Sequence, residues 1–221
     1  MGVSENYRSI VQELESLKPE GTPTLIAVSK FQPKEKVQEA ISGGVIHFGE
    51  NRVQEGIEKF SDLGKPEKDF ILHHIGPVQS SHIRKYSGLY SFVHGVGSQK
   101  ILEELKKRMD QDRWKIRYFL QVNLTHEDSK SGFSKEDIME LLLKKETLSS
   151  EFCVLEGFMT MGPSSGDLEE TRKVFREISD IRKEFLPQGK LSMGMSGDYK
   201  IALEEGSDYL RIGTAIFGER T

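Results

Sequence analysis

The chain has 221 residues, 36% hydrophobic and 30% charged, with 31 Lys and Arg against 35 Asp and Glu for a net charge of −4. That balance excludes a general electrostatic attraction to nucleic acid or anionic lipid, and the length suits one domain spanning residues 1–221. The single cysteine, Cys153, excludes an intrachain disulfide and fits a reducing cytoplasm.

The opening stretch, about 4–17, has helical spacing and no apolar run of signal-peptide type. No segment of the chain reaches the apolar length of a membrane span. From there, apolar or β-branched runs alternate with charged segments of helical period. TLIAVSK (24–30) is followed by PKEKVQEAI (33–41), where Pro33 suits a first helical turn. VIHFGEN (45–51), FILHHIG (70–76) and SFVHGV (91–96) read as strands, and SQKILEELKKRMD (98–110) as a helix. IRYFLQVNL (116–124) comes before SKED (134–137), which has the pattern of a helix capping box. FCVLEGFMT (152–160) leads into 166–186, where Leu168, Val174, Phe175, Ile178, Ile181 and Phe185 form one apolar stripe. KLSMGM (190–195) and YLRIGTAIF (209–217) close the series. Eight strands alternating with helices predict an α/β protein, a single (β/α)8 TIM barrel with an extra N-terminal helix. An open doubly wound sheet is the competing closure. No GxGxxG follows a strand and no GxxxxGK[ST] occurs, so dinucleotide and P-loop sites lack their signatures.

In a parallel barrel the active site is built at the C-terminal ends of the strands, so polar residues there carry weight. Strand alternation puts Ile26, Val28 and Lys30 on one face, the inward one. A desolvated lysine loses its proton more readily, and the neutral amine can attack an aldehyde to form a Schiff base. SMGMSGDYKIAL (192–203) sets small residues before a helix start, where free N–H groups attract phosphate. RIGT (211–214) adds a glycine and a hydroxyl on the next loop, with Arg211 and Gly213 on one side of the strand. A metal site is not expected. His73 and His74 are neighbours and point to opposite faces, and His47, His82, His94 and His126 show no HxxxH or HxH spacing. No GxSxG nucleophile elbow is present, and Cys153, near the start of its strand, reads as structural.

Seven segments in order carry a family resemblance: AVSKFQP (27–33), HFGENRVQE (47–55), HHIGPVQS (73–80), QVNL with SKSGF (121–124 and 129–133), GFMTM (157–161), LSMGMSGD (191–198) and RIGTAIFGER (211–220). The chain resembles the pyridoxal 5′-phosphate homeostasis proteins, single-domain relatives of the alanine racemase N-terminal barrel. The resemblance implies a (β/α)8 barrel that holds pyridoxal phosphate on a lysine. Lys30 matches the Schiff-base lysine. Ser196, Gly213 and Thr214 match the phosphate binders, and Arg211 matches the arginine facing the pyridine nitrogen. Asn51, Met193 and Met195 match residues lining the cofactor, while His73, Gln79, Asn123 and Lys130 lie in matching motifs without an assigned contact. One segment departs from the family pattern: within 73–85, His74 stands for a Phe, Pro77 for a His, and Ser81-His82 for an Asn-Lys pair.

An arginine has only donors, so it would keep the pyridine nitrogen unprotonated and weaken the ring as an electron sink. The alanine racemases take a second base from an additional β domain, which this chain is not expected to carry. The resemblance therefore implies a cytoplasmic, monomeric carrier rather than an efficient enzyme. It would serve vitamin B6 and amino-acid homeostasis, with pyridoxal phosphate as ligand, pyridoxal-phosphate-dependent apoenzymes as recipients, and no membrane or nucleic-acid partner. Two alternatives stand beside it: an amino-acid racemase of low activity using Lys30 as a base, and a cofactor-free Schiff-base aldolase.

Overall fold

Eight parallel strands close on themselves in chain order, each hydrogen-bonded to the next and the last to the first. The computed structural model describes residues 2–18, 21–125, 127 and 131–218. The strands are β1 (Thr24–Val28), β2 (His47–Glu50), β3 (Ile71–Pro77), β4 (Tyr90–Val96), β5 (Ile116–Gln121), β6 (Cys153–Met159), β7 (Lys190–Ser192) and β8 (Tyr209–Ile212). The helices are α1 (Val3–Leu17), α2 (Lys34–Ser42), α3 (Val53–Phe60), α4 (Gln99–Asp112), α5 (Lys135–Leu142), α6 (Leu168–Phe185), α7 (Tyr199–Glu204) and α8 (Thr214–Phe217). Between β3 and β4 the connection is a 3-10 segment, Ser80–Lys85. The expected TIM barrel with its extra N-terminal helix is what forms.

Period two sorts each strand into an outer and an inner face. Leu25, Ala27, Phe48, Leu72, Val93, Leu120, Leu191 and Leu210 join the outer apolar layer between sheet and helices. Phe92, Phe119 and Met159, with Ile71, Met161 and Tyr209 against them, form a separate cluster inside the barrel. The lumen is thus a second, partly aromatic core and not a pore. The side of α6 that carries Val174, Phe175, Ile178 and Ile181 is buried, as its stripe predicts, but Leu168 in the first turn is exposed, because the stripe meets the core only beyond the helix start. Its start is capped by Asp167, whose carboxylate accepts the Glu170 N–H at 2.8 Å. Ser98 and Ser134 cap α4 and α5 in the same way. Helix α1 is tied to the final helix by Asn6 Nδ2 donating to the Ile216 carbonyl at 3.0 Å.

Several strands stop short of their apolar runs. β1 ends at Val28 and β7 at Ser192, and the last run divides into β8 and α8. In each case the residues beyond the strand enter a turn or helix start at the C-terminal mouth of the barrel.

Candidate functional site

Lys30 lies in the turn that leaves β1, closed by Gln32 N–H donating to the Ser29 carbonyl at 3.0 Å. The strand alternation therefore ends before Lys30, and this turn sets where the half-buried lysine begins. Both of its neighbours are held by charged groups. Lys59 Nζ donates to the Ser29 carbonyl at 2.6 Å, to Glu50 Oε1 at 3.0 Å and to Glu55 Oε1 at 2.6 Å. Ser29 Oγ donates to Glu50 Oε1 at 2.7 Å. Phe31, with φ of 63°, sits in the left-handed region that costs a side-chain-bearing residue about 1–2 kcal/mol. Its N–H is accepted by Glu55. Burial pushes the Glu50 carboxyl up to about 7, against the lowering effects of Lys59 and Ser29.

Register brings the far end of the chain to this turn. Ile26 pairs with Arg211 and Ala27 with Ile212, so Val28 lies beside Gly213. A Cβ on Gly213 would stand 3.2 Å from the Val28 carbonyl oxygen. Arg211 N–H in turn donates to the Gly194 carbonyl at 2.9 Å, drawing in the loop after β7. Met195 and Ser196 are exposed in that loop, and Thr214 is exposed at the start of α8. The N–H groups of Ser196, Gly197, Thr214 and Ala215 meet no acceptor among the described residues. Asn51 follows β2 on the other side of β1 and lies against Gly76 of β3, where a Cβ would collide with the Asn51 carbonyl.

Arg211 is 5% exposed. Its Nη1 donates to Ser192 Oγ at 2.6 Å and its Nη2 to the Thr160 carbonyl at 3.1 Å. Two of its five N–H donors are thus engaged inside the barrel, leaving three without a partner among the described residues. Burial lowers its pKa to about 10 and Asp198 acts in the opposite direction, so the guanidinium stays charged at neutral pH.

Of the residues singled out in the sequence, Lys30, Asn51, Met195, Ser196, Arg211, Gly213 and Thr214 lie on the strand ends and loops of the mouth. Met193 is different: its side chain joins the outer apolar layer, because it shares parity with Leu191 while Ser192 faces inward. His73 is buried inside the barrel and His74 on its outer side, against Tyr86, whose hydroxyl lies 2.8 Å from His74 Nδ1. Gln79 and Asn51 border a cavity of about 390 Å³ that also reaches His74, Pro77 and His82, within the divergent segment. Asn123 Oδ1 accepts from Thr125 Oγ1 at 2.9 Å. Lys130 and His126 lie outside the described residues. Among the described residues no group of three or more His, Cys, Asp and Glu is arranged to hold a metal ion. Cys153 is buried and its thiol is pushed up to about 12, chiefly by burial. Sequence reasoning missed the Glu50–Lys59–Glu55 cluster and the inward row that ends on Ser192. The one sequence signal for the cluster is that Lys59 and Glu55 are four residues apart on α3.

Residues 3–221 match the family model of the alanine racemase N-terminal domain. The pyridoxal phosphate homeostasis protein of Vibrio alginolyticus is 35% identical over 202 residues, covering 89% of this chain and 86% of that one. The chain belongs to the pyridoxal phosphate homeostasis protein family. The Escherichia coli K12 member is 32% identical over 204 residues, covering 89% of this chain and 86% of its own length. Among solved structures, PipY of Synechococcus elongatus PCC7942 with pyridoxal phosphate bound has a TM-score of 0.85 and 30% identity, covering 98% of this chain and all of its own. Alanine racemase from Clostridium difficile 630 shares the fold at a TM-score of 0.74 and 14% identity, with this chain covering 57% of its length.

Proposed function

We propose that the mouth of this barrel binds pyridoxal 5′-phosphate and that the chain serves vitamin B6 homeostasis. It would hold the cofactor reversibly as a Schiff base on Lys30. The observation that carries this reading is the register of β1, β8 and the loop after β7. It brings the start of the Lys30 turn to Gly213, just past Arg211, next to two loops whose four backbone N–H groups meet no acceptor among the described residues.

The residues present suit the group. A primary amine on the lip answers an aldehyde. The N–H groups of Ser196, Gly197, Thr214 and Ala215, with the Ser196 and Thr214 hydroxyls, answer a phosphate. Gly213 lets β8 approach the Val28 carbonyl closely, and Asn51 and Met195 would line the cofactor. Arg211 has donors to spare and no acceptor, so it suits a ring nitrogen that carries no proton. When bound, pyridoxal phosphate supplies a reactive aldehyde conjugated to an aromatic ring. With its nitrogen unprotonated, the ring is a poor electron sink, which fits keeping the aldehyde rather than turning over amino acids. The same reading assigns residues 1–221 to one cytoplasmic, monomeric domain. Amino-acid balance would follow through release of cofactor to dependent apoenzymes.

The test is an absorption spectrum of freshly purified protein, then borohydride reduction and peptide mass mapping. A yellow protein with a reduced pyridoxyl group on the Lys30 peptide is expected, and Lys30→Ala should take no label there. A colourless protein that stays unlabelled after added pyridoxal phosphate would overturn the assignment.

A further inference from the structure

A row of hydrogen bonds crosses the inside of the barrel from Arg211 to its N-terminal floor. Arg211 Nη1 reaches Ser192 Oγ at 2.6 Å, and Ser192 Oγ lies 2.8 Å from His94 Nδ1. His94 Nε2 lies 2.9 Å from His73 Nδ1, and His73 Nε2 lies 3.0 Å from His47 Nδ1. The five residues come from β8, β7, β4, β3 and β2. Stacking holds the middle rings: His73 on Phe92 and His94 on Phe119, each with centroids 4.4 Å apart.

The row has one consistent direction. Arginine only donates, so Ser192 Oγ accepts from it. Ser192 Oγ has one other partner among the described residues, His94 Nδ1, so its single hydrogen goes there. His94 Nδ1 is then bare and the proton of a neutral His94 sits on Nε2. The same step passes down to His73 and to His47. All three imidazoles are neutral, because burial holds each well below the ordinary histidine range. Every link therefore turns a bare nitrogen or a lone pair toward Arg211. No carboxylate among the described residues lies within ion-pair distance of the guanidinium. The cation is held by oriented neutral dipoles in place of a counter-ion.

We propose that Ser192 and His94 are positioning residues for Arg211, fixing the guanidinium from below so that its remaining donors face the ring nitrogen of a bound pyridoxal phosphate. This rests on the pyridoxal phosphate reading. A carboxylate in the same place would neutralise the arginine, whereas the histidine row leaves its charge directed at the mouth.

Two measurements decide it. Long-range ¹H–¹⁵N spectra of the full chain without added pyridoxal phosphate should show His47, His73 and His94 as neutral rings protonated at Nε2. A proton on Nδ1 of His94 overturns the row's direction. In protein loaded with pyridoxal phosphate, Ser192→Ala should shift the absorption maximum and speed cofactor release by roughly tenfold, the loss expected for one hydrogen bond to a charged group. Lys30 should still take the borohydride label, and Ser192→Thr, which keeps the hydroxyl, should restore spectrum and release. If the unmodified protein takes no label at Lys30, the pyridoxal phosphate reading falls and the proposal with it. If it is labelled and Ser192→Ala matches it in spectrum and release, the proposal alone falls.

Discussion

Lys59 is the side chain whose removal tests how the Lys30 turn is held. It is buried between Glu50, Glu55 and the Ser29 carbonyl, while Glu50 Oε2 has no hydrogen-bond partner among the described residues. Lys59→Met leaves the Glu50 carboxylate buried without its cation. It should destabilise the protein at neutral pH by roughly 3–5 kcal/mol in urea unfolding. Adding Glu50→Gln should recover a large part of that, since it removes the stranded charge. Glu50 also sets a pH slope. Between the ordinary value of 4.5 and about 7 the folded state holds a proton that the unfolded chain has released. Stability from this group is thus present at the acid end and lost as pH rises through that window. Urea midpoints of Glu50→Gln across pH 4.5–7 should lack that component. His74 acts with the opposite sign. Burial lowers it to about 4, so the unfolded chain binds the extra proton and stability falls as pH drops from about 6.5 toward 4. His74→Phe should remove up to roughly 3 kcal/mol of that acid sensitivity, read as the difference between the two proteins' stability curves.

At the scale of elements, the loop after β7 shows where a strand must stop. The apolar run suggested a strand through residue 195, yet β7 ends at Ser192. Gly194 has φ of +95°, and a Cβ there would lie 2.5 Å from the Ala202 Cβ and 2.8 Å from Leu210 Cδ2. The strand ends because α7 and β8 close in on that backbone. Gly194→Ala should therefore destabilise the protein by more than about 1 kcal/mol, and should weaken pyridoxal phosphate retention more than the loss of stability alone would. A thermal melt beside a cofactor-release assay separates the two effects. Strand starts, helix caps and the α6 stripe were legible because each is written within a few neighbouring residues. Strand ends were not, because at the mouth it is the adjoining loop or helix that decides where the ladder stops. Lys30 itself illustrates this. Alternation along Ile26 and Val28 pointed to it, but a turn rather than the pleat carries it.

For the whole molecule, barrel closure is uneven. β5 and β6 pair from Ile116–Cys153 to Gln121–Met159, whereas β7 meets β8 at Ser192 and Tyr209. The seam is reinforced from the side. Ser207 Oγ donates toward the Met193 carbonyl at 2.8 Å, and Asp208 accepts the Leu191 N–H at 2.8 Å. Amide hydrogen exchange should reach the β7 and β8 amides before those of β5 and β6. Bound pyridoxal phosphate should slow exchange at the β7–β8 seam more than elsewhere, because its phosphate would tie the β7 loop to the start of α8. Equal protection across the barrel would remove the phosphate from those two loops.

By itself the sequence determined the eight-fold alternation, the inward and outward faces, and the chemistry available at the strand ends. These depend on local periodicity and on residue type. Lys30, Arg211 and the small residues Gly194, Ser196 and Gly197 were visible on that basis. What tertiary structure alone decided is which distant residues meet. His47, His73, His94 and Ser192 are separated by 26, 21 and 98 residues along the chain, and no spacing rule links them. They form one row because closure and register turn the same face of four strands toward a single axis. The buried arginine at the end of that axis is then held by Ser192 together with the Thr160 carbonyl.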